Sequence, residues 1–199
     1  MAVSRAEFKI EGASLAFNFD FRGKTVLDIG SSTGGFTEFA LAAGALMVVA
    51  VEKGARQMKA PLRFDSKVEL HEKTDIFDVV AEGHKNDELD GMAKKVIIPN
   101  PDVILADVSF ISLKPVLAYA KKYIASAKTE FLVMLKPQFE ALDSQLNRGV
   151  VKNERVRREI IRDFEGWLKS NGFVIKGKKD NNLAGKKGNL ERFYWLSMV

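Results

Sequence analysis

Residues Val26 to Phe36 read VLDIGSSTGGF: a β-branched apolar run, a turn rich in glycine and serine, and then at once a helical pattern. That succession constrains the fold more than any other stretch of the chain. A continuous apolar run suits a strand covered on both faces, as in parallel sheets flanked by helices. In such sheets ligands lie beyond the carboxyl ends of the strands, near the point where strand order reverses. Glycines in the turn let a ligand approach the backbone, and the helix N-terminus behind it favours a negative group.

The rest of the chain keeps the same alternation. Strands are expected at Lys24–Ile29, Ala45–Val51, Lys67–His71, Asp102–Ala106, Glu130–Leu135, Phe173–Ile175 and Glu191–Ser197. Helices are expected at Gly34–Ala43 (with Gly44 as C-cap), Ala55–Arg63, Leu113–Ile124 and Glu154–Lys169. Alternation of this kind predicts an α/β, doubly wound, mostly parallel seven-stranded sheet with helices on both faces. No helix separates the last two strands, so the final strand should run antiparallel. That is the arrangement of Rossmann-like class I methyltransferases that use S-adenosylmethionine.

A length of 199 residues suits one such domain over 1–199. Residues 1–20 then form an N-terminal helical segment carrying Lys9, and the polar stretch 83–95 a surface insertion. Loops at Phe139–Arg148 and Lys178–Asn189 are long enough to carry function. No apolar run reaches the ~20 residues of a membrane span, and the early charges Arg5, Glu7, Lys9 and Glu11 argue against a secretory signal. Zero cysteines exclude disulfides and thiolate metal sites and suit a reducing, cytoplasmic setting. His71 and His84 have no metal-ligand company, so no metal is expected. The net charge of +5 suits a polyanionic partner or simply a soluble basic surface. Lysines and arginines crowd Lys152–Arg162 and Lys176–Lys187, which marks a candidate basic face.

The turn itself favours a methyl donor over a dinucleotide. A dinucleotide fingerprint is G-x-G-x-x-G, whereas this loop reads GSSTGG with Asp28 two residues before Gly30. Asp28 can accept from the ammonium of a bound amino acid, whose carboxylate would meet backbone N–H groups of the turn. Glu52, closing the second strand, suits ribose hydroxyls or stands as a solvated acid. Asp75 suits an adenine amino group or a helix N-cap.

Three further segments carry a resemblance: Ala106–Leu113 (ADVSFISL), Leu132–Glu140 (LVMLKPQFE) and Gly188–Glu191 (GNLE). Together with DIGSSTGGFT they stand in the order and spacing of a known group. The chain resembles the TlyA-type, haemolysin A-like proteins within the FtsJ-like RNA 2′-O-methyltransferases, over nearly its whole length. The resemblance implies S-adenosyl-L-methionine as cofactor and RNA as partner, in the form of ribosomal RNA or ribosomal subunits. It also implies a Lys-Asp-Lys-Glu catalytic set. Lys9 takes the first place through the S-R-x-x-x-K pattern, Asp107 the second in ADVSF, Lys136 the third in LKPQF, and Glu191 the fourth in GN-x-E. Cofactor contacts fall on Asp28, Gly30, Ser32, Gly34, Gly35, Phe36, Glu52, Asp75 and Asp107.

The chain departs from the group in three respects. Its second-strand acid is Glu52 rather than aspartate. The glycine-rich segment after KPQFE is reduced to Asn147–Val151. The small S4-type RNA-binding domain that commonly opens TlyA-like proteins is not present in this sequence. Rival readings are an RNA- or ribosome-binding module with a weak active site, a membrane-active haemolysin, and a methyltransferase for a small molecule or protein.

Within the leading reading Lys136 is central, either as a general base or as a cation that orients the hydroxyl. Without the resemblance, Lys9 is a solvated lysine of a charged helix. Asp107 and Lys136, by contrast, end apolar strands at the ligand-binding edge. Phe110 and Phe139 stand beside these motifs and either line the cleft or pack.

Overall fold

The computed structural model describes residues 5–83, 95–181, 185 and 188–199. Among them the strands are β1 Thr25–Ile29, β2 Met47–Glu52, β3 Val68–Glu72, β4 Val79–Ala81, β5 Val96–Ile98, β6 Val103–Ala106, β7 Glu130–Leu135, β8 Phe173–Asp180 and β9 Arg192–Met198. The helices are α1 Arg5–Phe17, α2 Gly35–Ala42, α3 Leu113–Tyr123 and α4 Glu154–Ser170. Seven strands form the main sheet in the order β3-β2-β1-β6-β7-β9-β8. Pairing is parallel from β3 to β7, and β9 lies antiparallel between β7 and β8. The sheet therefore has the predicted architecture.

Side chains alternate across the strands and divide the core in two. Leu27, Ile29, Val49, Ile104, Phe131 and Val133 face α3 and α4, meeting Val116, Leu117, Phe164 and Leu168. Their neighbours Val26, Val48, Val103, Leu105, Leu132 and Met134 face the other way, onto Ile10 and Ala13 of α1 and Phe36 and Ala40 of α2. Helices thus cover both faces, and the central strands are largely apolar because both of their sides are buried, with Asp28 of β1 the buried exception.

Two local expectations are corrected. Ala55–Arg63 does not form a helix, and only a 3-10 turn at Leu62–Phe64 appears. Pro61 brings no N–H and disfavours helical backbone at Ala60, and Arg56 is left-handed at φ 55°. The strand expected at Phe173–Ile175 runs on to Asp180. Its second half alternates lysines outward on an edge strand, a composition that reads as loop but also guards a sheet edge against further pairing. The short runs Val79–Ala81 and Val96–Ile98 pair in parallel as a separate small ladder. The insertion expected over 83–95 lies outside the described residues except for its ends, Gly83 and Lys95.

Candidate active site

Strand order reverses between β1 and β6, and the chain crosses the sheet edge there at Gly30 and Asp107. The N–H of Gly30 donates to Val51 O at 2.9 Å, and that of Asp107 to Ile29 O at 3.1 Å. Gly30 is left-handed, and a Cβ on it would press against Asp107 O at 3.1 Å. Only glycine fits so close an approach in that conformation. Gly34 opens α2 at φ 96° with no side-chain cap, and a Cβ there would lie 2.4 Å from Leu62 Cδ2. Gly34 thus packs away from the cleft, against the segment after β2.

Asp28 lies beneath the turn, fully buried. Its Oδ2 accepts from Thr37 Oγ1 at 2.6 Å, while Oδ1 is buried with no hydrogen-bond partner among the described residues, as is Ser31 Oγ. Burial, reinforced by the charge of Asp107, pushes the Asp28 carboxyl from 3.8 up to about 7. Such a group ionises when a cation is brought near.

Lys9 from α1, Asp107 after β6, Lys136 after β7 and Glu191 before β9 all line one cleft of about 880 Å³. The Lys136 ammonium sits 2.6 Å from Asp107 Oδ1 and donates to Ser109 Oγ at 2.7 Å. Lys9 pairs with Glu191 across a separation of 182 positions. Their side chains are only 11% and 4% exposed. Burial raises the Asp107 carboxyl, Lys136 and Lys9 oppose that rise, and the Glu191 charge adds to it. The two pairs therefore form one electrostatic unit.

Gly30, Ser32, Gly35 and Phe36 share the cleft wall with these four. Phe110 and Phe139 line it too. Phe110 is 93% exposed, on left-handed backbone at φ 65°, with its ring centroid 5.4 Å from that of Phe139. These two rings belong to the cleft rather than the core.

Glu52 and Asp75 stand away from the cleft lining. Glu52 accepts from Ser32 N at 2.9 Å, Gly54 N at 2.6 Å and Gln57 Nε2 at 3.1 Å. Asp75 caps the 3-10 turn Ile76–Asp78 through Phe77 N and pairs with Lys53 at 2.8 Å. Burial opposes ionisation of Asp75, but Lys53 and the backbone N–H of Phe77 hold its carboxyl below the usual range.

Part of the late basic run is used internally. Arg157 is buried and bonds Asp180 at 2.6 Å, Arg192 holds the same carboxylate, and Lys178 pairs with Glu165. Lys152, Arg155, Arg158 and Arg162 remain exposed. Residues that sequence reasoning left without a role are Thr37, Gln57, Ser109, Glu140 and Asn189. Ser109, Glu140 and Asn189 stand inside the quoted motifs, but their partners come from distant segments. Asn189, for instance, accepts from Val151 N at 3.0 Å and donates to Gly149 O at 3.0 Å.

Among the described residues no helix is long and apolar enough to cross a membrane, and no group of His, Cys, Asp or Glu side chains is placed to hold a metal ion.

Comparison with known proteins adds to this geometry. Residues 2–198 match the family described as FtsJ-like methyltransferase. The chain is 33% identical, over 97% of its length and 70% of the relative, to the 23S rRNA (cytidine-2′-O)-methyltransferase TlyA of Campylobacter jejuni. It is 35% identical, over 98% of its length and 68% of the relative, to the 16S/23S rRNA (cytidine-2′-O)-methyltransferase TlyA of Mycobacterium tuberculosis. A solved structure from Streptococcus thermophilus, described as a candidate hemolysin, superposes with a TM-score of 0.85 at 30% identity, over 100% of this chain and 67% of that one.

Proposed function

Because the chain belongs to the FtsJ-like methyltransferases, we propose that it methylates ribose 2′-hydroxyls of ribosomal RNA, in the cytoplasm, with S-adenosylmethionine as donor. The observation that carries this reading is the Lys136–Asp107 pair at 2.6 Å, set on the same cleft wall as the Gly30 turn and the Lys9–Glu191 pair.

The residues present fit the donor. Gly30 keeps the floor beside Asp107 open. Ser31 Oγ and Asp28 Oδ1 are buried with no hydrogen-bond partner among the described residues, a condition that costs stability unless a ligand or proton relieves it. We assign the methionine end to Asp28, Gly30, Ser32, Gly35 and Phe36, with Asp107 beside it, while Gly34, which packs away from the cleft, serves by shaping the turn. Glu52 takes the ribose and Asp75 the adenine once each exchanges a present partner for the ligand. S-adenosylmethionine, when bound, supplies an electrophilic methyl group on a sulfonium and a neutral leaving group.

The protein must then align the hydroxyl and manage one proton. Lys136, paired with Asp107, donates to the 2′-oxygen and stabilises the charge that develops on it. The hydroxyl proton must leave that oxygen: Lys136 first gives one proton to Asp107, and the lone pair so freed takes the hydroxyl proton and returns Lys136 to the ammonium. The burial that raises the Asp107 carboxyl suits that carboxyl to hold a proton in transit. Lys9 and Glu191, largely buried together, fix the far wall and present an ammonium to the ribose.

Incubation with a methyl-labelled donor and ribosomal subunits tests the reading. The expected product is RNA whose label maps to a 2′-O-methyl position and resists alkaline cleavage there. Label on protein or on a base, or none despite donor binding, would overturn it.

A further inference from the structure

The sheet ladder does not by itself fix the distance between Asp107 and Lys136. β6 and β7 pair from Val103↔Glu130 to Ala106↔Val133. Asp107 is one residue past the last pair, but Lys136 is three past it, with Met134 and Leu135 paired instead to β9. Beyond the ladder each residue begins its own loop. Asp107 leads through Phe110 to the start of α3, and Lys136 leads into the 3-10 turn Pro137–Phe139.

One side chain ties the two loops together. Glu140 Oε2 accepts from Ser112 Oγ at 2.7 Å, and Oε1 accepts from Leu113 N at 2.7 Å. Leu113 is the first residue of α3 and Ser112 is its N-cap, so Glu140 caps the helix from outside with a carboxylate, the charge its N-terminus favours. Its other end is anchored close to Lys136. Phe139 N donates to Lys136 O at 2.9 Å, and Glu140 N to Pro137 O at 3.1 Å. Glu140 itself does not line the cleft.

We propose that Glu140 is a positioning residue: it latches α3 to the Lys136 loop and thereby sets the contact between Lys136 and Asp107. The kinetic part of the proposal rests on the methyl-transfer reading above. Two anchored ends and two short bonds leave little freedom between the loops. A misplacement near 1 Å in such a pair costs about 100-fold in rate.

The test compares Glu140→Ala with Glu140→Gln and Ser112→Ala. A glutamine retains the shape: its oxygen accepts from Leu113 N and its amide donates to the Ser112 hydroxyl. Glu140→Ala should lower kcat by about 10- to 100-fold while donor Kd stays within about twofold. Glu140→Gln should recover most of that loss. Ser112→Ala, which removes one arm, should cost less and add little to Glu140→Ala. Side-chain NMR titration of Lys136, independent of any substrate, should show a moved midpoint in Glu140→Ala and a near wild-type one in Glu140→Gln. A cap that only supports folding would lower the melting temperature and leave both kcat and the Lys136 titration unchanged, and that result overturns the proposal. If the wild-type protein transfers no methyl group to RNA, the earlier reading fails, and the Lys136 titration still decides whether Glu140 sets the pair.

Discussion

Asp28 makes the stability of this protein depend on pH in an unusual direction. Its carboxyl is fully buried and rises from 3.8 to about 7, chiefly through burial. A carboxyl raised on folding binds its proton more tightly in the folded chain than in the unfolded one. Its contribution to stability is therefore full below the unfolded value and declines as pH rises through the folded one. At 1.36 kcal/mol per pH unit, the rise from 3.8 to about 7 amounts to a loss on the order of 4 kcal/mol by pH 8. Asp28→Asn removes the titration. Its amide oxygen can still accept from Thr37, and its NH2 group takes the place of Oδ1 without a partner, at a cost of about 1–3 kcal/mol. The variant should be equal to or less stable than wild type at pH 5, and more stable by about 1–3 kcal/mol at pH 8. Denaturant unfolding at the two pH values measures this directly. Parallel pH profiles for the two proteins would refute the reasoning. The same variant should lose donor affinity, because the ionised carboxylate is what a bound ammonium would meet, and wild-type affinity should weaken as pH falls below about 7.

Lys136→Ala should bind the donor normally and lose at least about 100-fold in methyl transfer, read by label incorporation into ribosomal RNA. Removing Lys9 alone, as Lys9→Met, leaves Glu191 buried without its cation and should cost about 3–5 kcal/mol in unfolding free energy. Lys9→Met with Glu191→Leu should regain much of that stability while staying inactive, so calorimetry and transfer assays would diverge. Gly34→Ala should destabilise by about 2–3 kcal/mol, because φ is +96° and the new methyl would meet Leu62 Cδ2; Gly23→Ala, left-handed but with open space at its Cβ position, should cost less in the same melt.

The sequence was most legible where local pattern and burial coincide. β1, β2, β6 and β7 are apolar because both faces are covered, and their ends announce Gly30, Asp107 and Lys136. Signals failed where pairing or partners are distant. The second half of β8 alternates lysines on an exposed edge and resembles loop. β4 and β5 are three residues each, too short for any period to show. Arg157 looked like surface charge, but its partners Asp180 and Leu190 come from the far end of the chain. Glu52 was legible as the close of its strand and Asp75 as an adenine partner or a helix N-cap, yet nothing local reveals that Ser32, Gln57 and Lys53 hold their carboxylates. Glu140 stands in a quoted motif, and its role rests on Ser112, 28 positions earlier.

The position of β9 has a consequence for how the protein comes to life. β9 lies between β7 and β8, so β8, made first, has no neighbour to pair with until β9 arrives. Because β9 runs antiparallel, its first residues lie at the edge where the parallel strands finish, and that is where Glu191 meets Lys9. Met134 and Leu135, the two residues before Lys136, also have their ladder partners in β9, so the docking of one strand both places Lys136 and gives the Lys9 ammonium its counter-charge. Both ion pairs of the cleft thus depend on a single strand, which ties α1 to β7 as it takes its place in the sheet.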